Sequence, residues 1–320
     1  MRHDVRLTAF LSLPFTLADA AEHGIGPGVV RRWVREGTVR RIIQGVFVAD
    51  AMPDSPGLRA RAAAALVPGA VVCGRTAAWL WGIGAASTHD SRGEPLPVEI
   101  IVPRAATPPR RAGCVGRKWT LEKGDTTKVA HVVATTPLRT AADIGRTMAR
   151  DDAVVLLDAF LHTRQVTVRQ LESAVDRFAA HRGVRRLAEA VHLADGRSMG
   201  VEETLLRLAL ASAAVPAPEP GYRVMSAFGR PLHRFAVAWP GLRLGVDVAA
   251  SPATPPTEPR QPALTGTAMP AIRVRTRVIG GVAWRVIECG EGAVTSHRDT
   301  VLAQTLRELR ERAGPDSAAA

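Results

Sequence analysis

The stretch IGPGVVRRWVREGTVRRIIQGVFV, residues 25–48, decides how the first part of the chain folds. Pro27 suits a helix start, because proline's fixed φ and missing N–H cost nothing in a first turn. Val29, Val30, Trp33 and Val34 then recur at three- and four-residue spacing, the stripe of an amphipathic helix facing a core. Gly37 ends that pattern. Val39, Ile42, Val46, Phe47 and Val48 follow around Gln44-Gly45, which reads as a β-hairpin. Upstream, residues 17–23 have helical periodicity and Gly24 breaks it. The order is helix, short turn, helix, hairpin, which is that of a basic winged helix-turn-helix.

The same stretch carries Arg31, Arg32, Arg35, Arg40 and Arg41 against the single acid Glu36. Arg31, Arg32 and Arg35 share one flank of the second helix while Val30, Trp33 and Val34 face inward, so that flank is placed to enter a major groove. Arg40 and Arg41, at the foot of the hairpin, are placed to meet phosphates, which sets register rather than sequence choice. A solvated arginine face on a small helical domain is the bland alternative. Over the whole chain 42 Lys and Arg stand against 30 Asp and Glu, a formal charge of +12 that favours a polyanionic partner. All but three of the basic residues are arginine, a bias that GC-rich coding also produces, so the placement of the charge decides more than its sum.

At 320 residues and 46% hydrophobic side chains, the chain is long enough for two or three domains. Cys73, Cys114 and Cys289 lie far apart, in no CxxC or Cys/His spacing, which argues against a disulfide framework and a structural zinc. No apolar run approaches the roughly 18 residues of a membrane span, and residues 1–15 lack the apolar core of a cleavable signal; a cytoplasmic, reducing setting is expected, with no membrane partner. His131, His162, His181 and His192 have no paired ligand spacing, Gly280-Gly281 has no phosphate-loop context, and Ser198, Ser212 and Ser251 sit in no GxSxG elbow.

Further along, helices are expected at 58–67 and 76–81, a strand at 98–102, and then a proline-rich loop over 103–116 carrying Arg104, Arg110 and Arg111. That loop reads either as an extended basic segment along a nucleic-acid backbone or as a solvated connection. A strand at 129–134 precedes helices at 138–148, 151–163, 167–177 and 184–194. After Asp195-Gly196 come a helix at 202–213, strands at 222–225, 232–238 and 242–249, and a Pro/Thr-rich loop at 251–270. Residues 272–280 read as helix or extended chain, 282–287 as a strand and 296–312 as a closing helix.

The first segment resembles the winged-helix domain of the AbiEi family of type IV antitoxins, in which an Arg-rich helix runs into a strand pair ending in Gly-Val-Tyr or its like, here Gly45-Val46-Phe47. Arg75-Thr-Ala-Ala-Trp-Leu-Trp-Gly82 and Arg139-Thr-Ala-Ala-Asp143 continue the likeness. Glu203-Thr-Leu-Leu-Arg207, His233-Arg-Phe-Ala-Val-Ala-Trp239, Leu244-Gly-Val-Asp-Val-Ala249 and Val282-Ala-Trp-Arg-Val286 resemble the Vsr-like endonuclease domain of the PD-(D/E)xK superfamily, over about residues 196–312. Actinobacterial proteins fuse these two parts in the same order. The nuclease resemblance implies a helix glutamate, a second-strand aspartate and a third-strand acid pair that together bind magnesium. Glu203 and Asp247 match two of these positions. Ala236 and Ala249 stand where the others are expected, and Ala250-Ser251-Pro252-Ala253 replaces the Gly-x-x-His that usually follows.

The chain is therefore read as α+β: a winged helix-turn-helix at 1–52, a middle α/β region at 53–195, a degenerate PD-(D/E)xK-like mixed sheet flanked by helices at 196–312, and a disordered tail at 313–320. The expected activity is DNA-binding regulation of the antitoxin or autorepressor kind, with duplex DNA as partner and, by the antitoxin resemblance, a cognate toxin. Glu203 and Asp247 are then vestigial, no cofactor is needed, and Asp247 is satisfied by a neighbour such as Arg243 or Arg234. Two alternatives remain: an interaction scaffold that binds only protein, and a magnesium-dependent DNA endonuclease that adds a further acid, Glu219 or Glu258, to Glu203 and Asp247.

Overall fold

The computed structural model of the protein describes residues 10–90, 92–213, 215–249 and 272–313. The loop expected at 251–270, with Glu258, lies outside them, as does nearly all of the expected tail. The fold is α+β, and the chain divides into two compact units, residues 1–144 and 145–320. Among the described residues no helix is long and apolar enough to cross a membrane.

In the first unit β1 (Phe15–Thr16) leads into α1 (Leu17–Glu22). Thr16 and Asp19 cap that helix reciprocally, the Thr16 amide donating to the Asp19 carboxylate at 2.7 Å and the Asp19 amide to the Thr16 hydroxyl at 3.2 Å. Next come α2 (Pro27–Arg35) and the antiparallel hairpin of β2 (Val39–Ile43) and β3 (Val46–Ala49), with β1 on the far side of β3. Gly45 closes the hairpin at φ +94°, in the left-handed region that a side chain would strain. Phe15, Ala20, Val30, Val39 and Phe47 bury one another, and Ile25 and Trp33 pack against them. The expected order of helix, turn, helix and hairpin is observed. Val34 departs from expectation, being 40% exposed rather than core-facing.

Next follow α3 (Pro56–Leu66), β4 (Val71–Val72), α4 (Gly74–Leu80), β5 (Val98–Ile101), β6 (Arg110–Arg111), β7 (Cys114–Arg117), β8 (Thr126–Val129), β9 (Val132–Thr135) and α5 (Pro137–Thr147). The strands make a mixed sheet in the order β6-β7-β5-β4-β9-β8. Leu58, Ala60, Ala62 and Ala63 of α3 share one core with Ile42, Ile43, Val46 and Val48 of the hairpin and with Val72, Val98 and Ile100 of the sheet. That shared core is the physical reason the first unit runs on past residue 52 without a break.

Two local expectations change. Residues 103–116 are not one extended loop, because β6 and the start of β7 form a small hairpin there. The strand expected at 129–134 is a hairpin too, turning at Ala130 and His131 with φ of 47° and 66°. Both turn residues are left-handed, as a primed hairpin turn requires, without the usual glycine or asparagine to announce it.

At the start of α5, Arg139 is withdrawn from solvent, its side chain 3% exposed. Its Nε donates to Asp143 at 2.8 Å, and one terminal nitrogen donates to Asp125 at 2.6 Å and to the Thr120 carbonyl at 3.1 Å.

The second unit contains α6 (Arg150–His162), α7 (Val168–Arg177), α8 (Val184–Leu193), α9 (Val201–Ala211), β10 (Glu219–Pro220), β11 (Arg223–Met225), β12 (Pro231–Arg234), β13 (Val237–Trp239), β14 (Leu244–Val248), β15 (Ile272–Ile279), β16 (Val282–Cys289) and α10 (Ala293–Ala313), the last interrupted at His297. Its sheet has the order β10-β13-β14-β16-β15, parallel between β14 and β16 and antiparallel elsewhere. The strand expected at 232–238 is in fact two, broken at Phe235-Ala236: β12 pairs with β11 in a separate hairpin, and β13 joins the main sheet. Residues 272–280 resolve to a strand at the sheet's edge, with Arg273, Arg275 and Arg277 alternating along it. Asp158 of α6 is the polar centre of this unit. It accepts from Arg207 at 2.8 Å, from the Thr204 hydroxyl at 2.7 Å and from the Asp195 amide at 2.6 Å, which ties α6 to α9 and explains why the chain has no break at residue 195. Burial pushes the Asp158 carboxyl above its ordinary range, with Arg207 opposing.

Arg139→Ala leaves two buried carboxylates facing each other and should cost about 3–5 kcal/mol, the penalty for breaking a buried ion pair from one side. Urea denaturation followed by tryptophan fluorescence should show the midpoint fall accordingly, and an unchanged midpoint would mean that the cluster adds nothing.

Candidate functional site

Each unit carries a candidate site, and the first unit's is a basic face. On α2, Val30 and Trp33 anchor the helix while Arg31, Arg32 and Arg35 are exposed. Arg32 stands 3.9 Å from Glu36, a solvent-screened pair of little energetic weight. Arg31 and Arg35 have no carboxylate partner among the described residues. The two wing arginines part company. Arg40 is half-buried, donates to the Met52 carbonyl at 2.7 Å and lies near Asp50 and Asp54, so it braces the hairpin. Arg41 is exposed, its guanidinium 6.0 Å from the centre of the Phe47 ring. Arg110 and Arg111 are exposed on β6, and Arg104 is exposed in the turn after β5.

The second unit holds a cavity of 380 Å³ lined by Glu203, His233, Arg234, Ala236, Asp247, Val248, Ala249, Glu288 and Cys289. The structure thus brings together Glu203, from the first turn of α9, and Asp247, from β14. Both are occupied. Arg234 grips Glu203 with two hydrogen bonds of 2.8 and 2.7 Å, and the Met199 amide donates to the same carboxylate at 2.9 Å. His233 Nε2 stands 3.0 Å from both Asp247 oxygens, and Arg277 reaches Asp247 at 3.5 Å. Burial raises the Asp247 carboxyl above the ordinary range despite His233. The partner expected for Asp247, Arg234 or Arg243, is therefore corrected to His233 and Arg277.

Sequence reading misses Glu288 altogether, quotes His233 without a role, and offers Arg234 as a partner for Asp247 when it pairs with Glu203 instead. Glu288 sits beside Asp247 through the parallel register of β14 and β16, a pairing across forty residues that no local pattern announces. His233 and Arg234 stand just before the bend at Phe235-Ala236, and an Arg two residues ahead of an expected acid was the available signal. Of the alternative acids, Glu219 is exposed on β10 opposite Ala238 and does not line the cavity.

The donor set fits magnesium poorly. Ala236 and Ala249 offer methyl groups where oxygens are needed, Glu203 is committed to Arg234, and Glu288 has Arg275 and Arg277 at 3.8 Å. Among the described residues no group of three His, Cys, Asp or Glu is arranged to hold a metal ion. Cys289 offers no nucleophile, since burial pushes its thiol up to about 12. Glu202, next to Glu203, accepts from the Thr295 hydroxyl at 3.0 Å and so joins α9 to the start of α10.

No family model matches the chain. Two uncharacterized proteins of Mycobacterium tuberculosis, Rv2248 of strain ATCC 25618 / H37Rv and MT2308 of strain CDC 1551 / Oshkosh, are each 28% identical to it over 214 residues, 67% of this chain and 74% of theirs. The crystal structure of the RV2827C protein from the same species is similar at a TM-score of 0.37 and 16% identity, covering 71% of this chain and 89% of that one. A likeness at that level carries no argument.

Plasmid or mismatched duplex incubated with the protein and magnesium or manganese should show no nicking above a Glu203→Ala, Asp247→Ala variant. Cleavage that the variant lacks would make the cavity a working nuclease site.

Proposed function

We propose that the protein is a DNA-binding regulator of the antitoxin or autorepressor kind, acting in the cytoplasm. Its first unit binds duplex DNA through α2, and its second unit keeps a nuclease-like scaffold without the chemistry. The observation that carries this reading is α2 itself. Val30 and Trp33 fix its orientation, Arg31 and Arg35 leave the opposite flank with no carboxylate partner among the described residues, and a hairpin follows directly. Unpaired arginines on an anchored helix are what bidentate guanine contacts in a major groove require. The resemblance to AbiEi antitoxins supports the same reading and adds a cognate toxin as a second partner.

One observation favours the endonuclease alternative: Glu203, Asp247, Glu288 and His233 converge on one cavity. The arginines already paired with those acids weigh against it, because a magnesium ion would have to displace them to reach its oxygens.

Arg31→Ala with Arg35→Ala should weaken binding to a recognised duplex by roughly 1–3 kcal/mol for each arginine that grips a base edge with two hydrogen bonds, while sparing non-specific binding more. A mobility-shift titration at moderate salt measures this. Equal affinity of variant and parent would remove α2 as the recognition element.

A further inference from the structure

We propose that the β2–β3 hairpin and the β6–β7 hairpin act as one compound wing that grips the backbone of duplex DNA, with Arg41 from the first and Arg110 and Arg111 from the second. This rests on the reading of the first unit as a duplex-DNA binder and names the surface that supplies its phosphate contacts.

The two hairpins meet at their turns. The Gln44 amide, at the tip of the first, donates to the Ala112 carbonyl, at the tip of the second, at 3.2 Å. Arg111 lies over the first turn, where a Cβ on Gly45 would stand 3.2 Å from its guanidinium, and a Cβ on Gly113 would stand 3.3 Å from Ile43. Beneath them Ile42, Ile43, Val46 and Cys114 belong to one buried core. A wing joined by a backbone hydrogen bond, close packing and a shared core moves as one body, so charges on either hairpin hold a fixed spacing.

The charge at this junction is unopposed. Of the two carboxylates near the foot of the first hairpin, Asp50 faces Arg40 at 4.0 Å and Asp54 is taken by two hydrogen bonds from Arg59 of 2.8 and 2.5 Å. Arg117 on β7 is paired with Glu99. Arg41, Arg110 and Arg111 have no carboxylate partner among the described residues and are exposed. Rigidly spaced guanidinium groups without counter-charges suit phosphate contact, whose affinity comes from released counterions.

Topology separates Arg104 from this group. The Ala112-Gly113 turn lies at the start of β5, where the Val98 amide donates to the Gly113 carbonyl at 3.0 Å. Arg104 lies beyond the other end of β5, a strand whose four residues span about 10 Å. It shares the loop but not the wing.

The test uses the full chain and a labelled random-sequence duplex, with affinity followed by fluorescence anisotropy across a potassium chloride series. Arg110→Ala with Arg111→Ala should make the slope of log affinity against log salt shallower by roughly 1.8, two phosphate contacts' worth, and Arg104→Ala should leave it unchanged. If the parent binds duplex but the double variant keeps its slope, the compound wing is overturned while the duplex-binding reading stands. An equal loss in the Arg104 variant also overturns it, because charge anywhere would then serve. A parent that does not bind duplex at any salt overturns both.

Discussion

A guanidinium withdrawn from water must find enough oxygen acceptors to replace its hydration, and it cannot shed its charge to escape the cost. Each unit of this protein contains such a group. Arg139 binds Asp125, Asp143 and the Thr120 carbonyl, so the chain before β8 and the helix α5 must arrive at one point. Arg207 binds Asp158 and the Leu193 carbonyl, fixing α9 against α6 and the end of α8. The second of these sets the site. Glu203 lies one helical turn before Arg207, so the packing that satisfies Arg207 also aims Glu203 at the cavity.

Acids gathered in one cavity need compensating charge, and here the chain supplies it. Three carboxylates facing one another repel, and something positive must balance them. Here Arg234 takes Glu203, Arg277 reaches Asp247 beside the hydrogen bond that joins it to His233, and Arg275 and Arg277 flank Glu288. The cavity is electrostatically balanced by the chain's own side chains.

Much of this was legible in the sequence where the signal is local. The three- and four-residue spacing of Val30 and Trp33, the Pro27 start and the Gln44-Gly45 turn each act within a few residues, and α2 and its hairpin fall where these place them. The motif Arg139-Thr-Ala-Ala-Asp143 is an i,i+4 ion pair, readable as such, although its burial is not. What was hidden depends on distant partners or on unannounced turns. Nothing near Glu288 signals that a parallel register sets it beside Asp247. The hairpin at Ala130-His131 lacks turn residues, and the break at Phe235-Ala236 lies inside an apolar run that reads as continuous strand. Val34 shows the limit of periodicity, since a helix lying on a small core buries a narrower stripe than its sequence offers.

The edge strand β15 has a consequence for how copies of the chain meet. Among the described residues nothing pairs with the outer edge of this eight-residue strand, which leaves a row of backbone groups open to a similar edge. Extending the sheet by a second β15 would set residues of the same face against one another, so Arg273, Arg275 and Arg277 would confront the arginines of the copy. Glu288, shared between Arg275 and Arg277, and Asp247, near Arg277, offset only part of that repulsion. Like charges set opposite one another in this way weaken edge-to-edge pairing and favour the strand staying at the edge of its own sheet.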